Sequence, residues 1–206
     1  MGKNSQKLLS LASAALSTPT TSDLVSGNAN LNNLLIHKNG FYAFESALHV
    51  FPEGPAAFQI SGSTWNEDRL WKYSYGEGLA DTYCFACDVF GCQYAFRDDR
   101  IVKFDPETGE CANHSATIED WAGAILEDYE YETGYPLAHE WQTLHGSIKN
   151  GHRLVPIVPF VLGGDFAISN LRSMDATASM ILRGKLATKL RDLPDGSSID
   201  FSTDML

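Results

Sequence analysis

Basic residues are scarce in this chain: 15 Lys and Arg stand against 26 Asp and Glu, a formal charge of −11 over 206 residues. A nucleic-acid surface needs clustered Lys and Arg to neutralise phosphates, so the charge argues against that class. It suits a basic protein partner instead, because acidic groups complement a surface built for phosphates and speed the encounter. Also missing is any apolar run near the roughly 20 residues that a membrane-spanning helix requires. Two catalytic motifs are begun and not completed. Gly163-Gly164 is followed by Asp165, with no Gly-Lys-Ser or Gly-Lys-Thr, so no phosphate loop forms there. His139-Glu140 opens like a zinc-protease helix, but the next histidine is His145, on another helical face.

Apolar residues are plentiful: 44% of the chain is hydrophobic and 11% aromatic, with 20% charged. That composition folds, and the length suffices for one domain. Lys3 and Lys7 precede the short apolar run Leu8 to Leu16, an arrangement shared with export signals. Serines break the run, and it fits a helix ending before Pro19. Gln6 stands where a myristoylation pattern from Gly2 needs Ser or Thr. The polar breaker Ser17 to Asp23 then divides a flexible or helical lead, 1–23, from a domain over 24–206. The protein is expected in the cytoplasm, where its four cysteines stay reduced.

Periodicity supplies the elements. Leu31, Leu34 and Leu35 sit at helical spacing and stop at Asn39-Gly40; Phe41 to Val50 reads as a second, short buried helix. From Thr82 the pattern alternates, with Tyr83 and Phe85 on one strand face and Tyr94 and Phe96 on one face of the next. Turn residues Asp98-Asp99 and Pro106 to Gly109 flank a strand from Ile101 to Phe104, giving an antiparallel meander of three or four strands. Ile118, Trp121, Ala122, Ile125, Leu126 and Tyr129 form one apolar helical stripe, capped by Thr117 with Asp120 three residues on. Pro136 opens a further helix bearing Leu137, Trp141, Leu144 and Ile148. Pro156 and Pro159 remove ladder donors, so Leu154 to Gly164 reads as an irregular buried connection. A helix interrupted near Gly184 runs from Asp175 to Leu193; a turn at Pro194-Asp195-Gly196 leads to a last strand with Ile199 and Phe201.

Six patches, in order, resemble the SMI1/KNR4, or SUKH, superfamily: Gly40 to Pro52, Leu70-Trp71, Ala86 to Phe96, Gly134 to Ala138, Pro159 to Gly164, and Leu193 to Gly196. The resemblance covers nearly all of the chain after residue 30. It implies an α+β fold in which helices pack on a twisted, mainly antiparallel sheet, consistent with the meander and amphipathic helices. Bacterial members are mostly immunity proteins that bind and neutralise a cognate toxin, so the resemblance implies binding rather than catalysis, with no cofactor. Cys87 and Cys92 depart from the family pattern, where an acidic residue and a glycine are expected, which puts any shared role of that acidic position in doubt.

Cys84-x2-Cys87 and Cys111-x2-His114 could supply four zinc ligands. An alternating strand would send Cys84 and Cys87 to opposite faces, which favours buried thiols. The acidic run Glu127, Asp128, Glu130 and Glu132 is a candidate partner surface. Trp65, beside Glu67 and Asp68, is another, whereas Trp121 and Trp141 lie on apolar stripes. The expected function is stoichiometric sequestration of a toxin, with a basic nuclease-type toxin the kind that the acidic charge suits. The alternatives are a regulatory or scaffold module of the same fold, and a metal-dependent enzyme built on the cysteine and histidine positions.

Overall fold

Residues 83–115 form a continuous antiparallel meander in the computed structural model, which describes residues 1–18, 28–54, 59–79 and 81–191. Pro19, the division near residue 23, the turn at Pro194 and the strand expected at Ile199 lie outside the described residues. The strands β1 (Phe41–Ala43), β2 (Leu48–Val50), β3 (Tyr83–Asp88), β4 (Gln93–Arg97), β5 (Arg100–Phe104) and β6 (Cys111–Ser115) pair in sequence order into one antiparallel sheet. Asp98 and Asp99 both take left-handed backbone, φ 47° and 60°, so the β4–β5 hairpin closes on a two-residue turn whose twist matches its strands.

The helices among the described residues are α1 (Lys3–Leu11), α2 (Ala29–His37), α3 (Gly62–Trp65), α4 (Ile118–Glu127), α5 (Tyr129–Thr133), α6 (Tyr135–His145) and α7 (Ala176–Arg191). One sheet face packs on α1, α2 and α4 through Phe41, Val50, Phe85, Tyr94 and Trp121. The other packs on α3, α7 and a 3₁₀ segment, Lys72–Leu79, through Trp65, Trp71, Tyr75, Cys84, Phe104 and Met180. This is a mixed α+β domain, with helices on both faces of a mainly antiparallel sheet. A second sheet, β7 (His152–Pro156) with β8 (Leu171–Asp175), joins α6 around Trp141, Leu154 and Leu171. No helix among the described residues is long and apolar enough to cross a membrane.

The α4 cap is the expected one: Thr117 Oγ1 accepts the Asp120 backbone N–H at 3.1 Å, worth about 1 kcal/mol. Of the two forms considered for the lead, the structure has a docked helix. Leu8 of α1 is fully buried, and Glu119 of α4 accepts the backbone N–H groups of Asn4 and Ser5.

Five expectations are corrected. Phe41 to Val50 is a hairpin, not a helix. Phe44, Glu45 and Ser46 all have positive φ and turn the chain, and Phe41, Ala43, Leu48 and Val50 then face one cluster. Short apolar runs fit either period, and here cross-strand pairing decides. The meander is longer than expected, because that hairpin extends it to six strands. The Leu154 region begins as strand β7. Pro156 is tolerated at its last position, in a two-stranded sheet. Helix α7 passes through Gly184 uninterrupted, and a Cβ there would lie 2.2 Å from Ser74 Oγ, so glycine lets α7 approach the 3₁₀ segment closely. Finally, Leu144 of α6 is 67% exposed and Ile148 lies beyond the helix end at Gly146; Ala138 and Trp141 carry its buried side.

Candidate binding site

The turns after β3 and β5 lie at the same end of the sheet, and α5 crosses beside them. Together with the segment 160–166 they enclose an open groove of about 720 Å³. Asp88 builds the first turn. Its Oδ1 accepts the N–H groups of Phe90 and Cys92, each at 2.9 Å. Gly91 supplies the left-handed residue, φ 83°, and Arg183 of α7 donates to the Phe90 carbonyl. A Cβ on Gly91 would meet Arg183 Nη2 at 2.7 Å, so the glycine also makes room for the guanidinium. In the second turn Asp105 Oδ1 caps Glu107 N–H, and Glu107 Oε2 accepts Val161 N–H at 2.9 Å. Burial raises the Glu107 carboxyl above its ordinary value, and its Oε1 meets no protein donor among the described residues.

Lys103, projecting from β5, holds the charges of the groove together. Its Nζ is 2.9 Å from Glu132 Oε2 and 4.0 Å from Asp88 Oδ2, and it lies over the rings of Tyr94 and Tyr131. Glu132 Oε2 also accepts Tyr94 Oη at 2.8 Å and meets His114 Nε2 at 3.3 Å. Burial alone would raise the Glu132 pKa, but the hydrogen bond from His114 and the charge and hydrogen bond of Lys103 win, holding it at about 2. Burial pushes the Asp88 carboxyl up, against the pull of Lys103. Desolvation would lower Lys103, but Asp88, Cys92 and Glu132 outweigh it and raise its pKa.

The wall opposite α5 is aromatic. Phe160 and Phe166 stack at 3.9 Å, and Phe90 meets both edge-on. Tyr131 is 78% exposed and Phe166 67%. The groove therefore combines an internally neutralised floor with apolar side chains already held in place, an arrangement that can receive apolar and cationic groups of a partner.

The residues singled out from sequence fall into different places. Glu130 and Glu132 border the groove, but Glu132 is half-buried and paired rather than solvated. Glu127 and Asp128 are exposed at the α4–α5 junction, where Asp128 caps α5 through Tyr131 N–H. Glu67 and Asp68 are exposed and do not border the groove. Trp65 is not on the surface: it is 1% exposed, its Nε1 donates to Gln93 Oε1 at 2.9 Å, and it packs on Phe51 and Trp71. The adjacent Asn66 turns inward as well. Its side chain pairs with both the N–H and the C=O of Cys84 where β2 has ended, so the polar neighbours of Trp65 do not mark an exposed segment.

Cys84 and Cys87 lie on the same sheet face, because a bulge between Cys84 and Ala86 restores the phase that simple alternation would lose. Both are buried, as expected of structural thiols, and burial raises both pKa values. Cys111 packs with them, whereas His114 turns to Glu132 and Tyr94. Among the described residues no group of three or more His, Cys, Asp or Glu is placed to hold a metal ion.

Lys103, Arg183, Glu107, Tyr131 and the phenylalanine wall were not identified from sequence. They are separated along the chain and meet only through the topology. No family model matches the chain, and no curated protein matches it. Its fold is similar to that of Atu4351 from Agrobacterium tumefaciens in a crystal structure, with 12% identity over 90% of this chain and 89% of that chain, at a TM-score of 0.57. At that identity the likeness speaks to the fold, a mixed α+β domain.

Proposed function

We propose that this chain is a protein-binding domain, an immunity protein of the SMI1/KNR4 type, which neutralises a cognate toxin in the bacterial cytoplasm by stoichiometric sequestration. The observation that carries this reading is the open groove, where exposed Tyr131 and Phe166 stand ready on a fixed frame beside acidic Glu130. Rigid aromatic side chains concentrate binding energy at protein interfaces. The formal charge of −11 adds attraction for a basic partner such as a nuclease. The ordered patches that resemble the superfamily support the same assignment. In this reading the toxin places a basic, apolar-tipped segment in the groove, and bound protein blocks its substrate path without any turnover by the immunity protein.

The experiment is co-expression with the toxic domain encoded beside the gene, read as survival and as copurification of the pair. Survival with a stable one-to-one complex is the expected result. Survival without a complex would replace sequestration by enzymatic protection. A complex with a non-toxic partner would replace immunity by a scaffold role.

A further inference from the structure

A second, smaller cavity lies between β2, β3, β7 and the start of α7. It holds about 170 Å³ and is lined mainly by apolar groups, including Phe51, Ile60, Trp65 and Met180. Two of its polar lining groups are left incomplete. Arg153 is 3% exposed; its Nε donates to Cys87 Sγ at 3.2 Å and its Nη1 to the His152 carbonyl at 2.9 Å. Among the described residues, no carboxylate comes within ion-pair distance of it, and Nη2 has no hydrogen-bond acceptor. His49 is also 3% exposed, and its Nε2 has no hydrogen-bond partner. Tyr42 stacks on the His49 ring at 4.4 Å and Phe51 meets it edge-on at 4.6 Å, so the imidazole is held by packing.

The Arg153 guanidinium lies 5.7 Å over the Tyr42 ring, but a buried guanidinium with no carboxylate at ion-pair distance and a buried imidazole nitrogen without a partner are each costly to leave unmet. We propose that this cavity is a binding site for a small monocarboxylate with a compact apolar body, its carboxylate held by Arg153 and His49 Nε2. The volume sets the size of the ligand: a cavity of roughly 150 Å³ accommodates benzene. The apolar walls take the body of the ligand. Burial, together with the nearby Arg153 charge, keeps His49 neutral, and a neutral imidazole protonated at Nε2 donates to the carboxylate. The first residues of α7, Ala176 and Thr177, border the cavity and add the positive end of a 16-residue helix. Asp175, also at the rim, is engaged in capping α7 through Ala178 N–H at 2.9 Å. The β2–β3 register sets His49 opposite Cys87, to whose sulfur Arg153 donates.

The test is titration of the purified full chain with sodium benzoate and sodium isovalerate, and with benzyl alcohol as the neutral counterpart. Calorimetry and the NMR resonance of Trp65 Nε1–H, identified with Trp65→Phe, report binding. The proposal expects saturable benzoate or isovalerate binding that moves the Trp65 signal, with benzyl alcohol at least about tenfold weaker, the scale of a charge-assisted hydrogen bond. Arg153→Lys and His49→Phe should each weaken carboxylate binding about tenfold. The wild-type comparison of acid and alcohol stands even if either variant fails to fold. No saturable binding of either acid, equal binding of benzyl alcohol, or folded variants that bind as wild type would overturn the site.

Discussion

Trp65 and Tyr131 have similar sequence surroundings, each an aromatic residue close to acidic ones, yet the fold treats them in opposite ways. Trp65 is the last residue of α3 and is buried against the sheet, with its indole N–H bonded to Gln93. Tyr131 stands out from α5 at 78% exposure, between exposed Glu130 and paired Glu132. The difference arises from what the polar neighbours do. Near Trp65, Asn66 spends both ends of its amide on the Cys84 backbone and draws the segment onto the sheet. Near Tyr131, Glu132 turns inward, to Lys103, His114 and Tyr94, which pins α5 and leaves the ring before it facing the groove. A polar neighbour thus marks a surface only when water, and not the protein, satisfies it.

The largest effect should separate these two residues at once. Trp65→Ala should cost about 3–5 kcal/mol of unfolding free energy, whereas Tyr131→Ala should change it by less than about 0.5 kcal/mol, both measured by urea denaturation. Equal costs would break the comparison. Next comes Glu132, whose replacement in Glu132→Gln removes the anion that Lys103 and His114 meet. A loss of about 2 kcal/mol is expected at neutral pH.

The same pair carries a pH signature. The folded carboxyl of Glu132, at about 2, lies below its ordinary 4.5. Its contribution is therefore fully present above about pH 4.5 and is lost as pH falls through about 2. The stability difference between wild type and Glu132→Gln should shrink across that window, and a difference constant down to pH 2 would deny the pairing its electrostatic origin. The smallest effect is expected at Glu67 and Asp68. Their joint change to Lys should leave partner affinity within about twofold apart from long-range attraction, while Glu130→Lys, at the groove, should weaken it more, with titration calorimetry as the measure.

Much of the scaffold was legible because its signals are local. The Thr117 cap, the Asp98-Asp99 hairpin and the alternation from Tyr83 to Phe96 all lie within a few residues of what they determine. The first hairpin was not, since Phe41 to Val50 suits two periods and only its pairing with β3 selects one. The bulge at Phe85, which sets Cys84 and Cys87 on one face, leaves no mark in the spacing of the residues. The groove was legible only at Glu130 and Glu132. Lys103, Phe166 and Arg183 reach it from β5, a loop and α7, and no window of sequence contains that meeting.

The proposal that this domain acts by binding through the groove is tested most directly by titrating the proposed toxin partner with wild-type protein and with the Tyr131→Ala, Phe166→Ala double variant. A one-to-one complex for wild type is predicted, weakened about thirtyfold or more in the double variant with an unchanged melting temperature. Binding of equal strength by the folded double variant would contradict it.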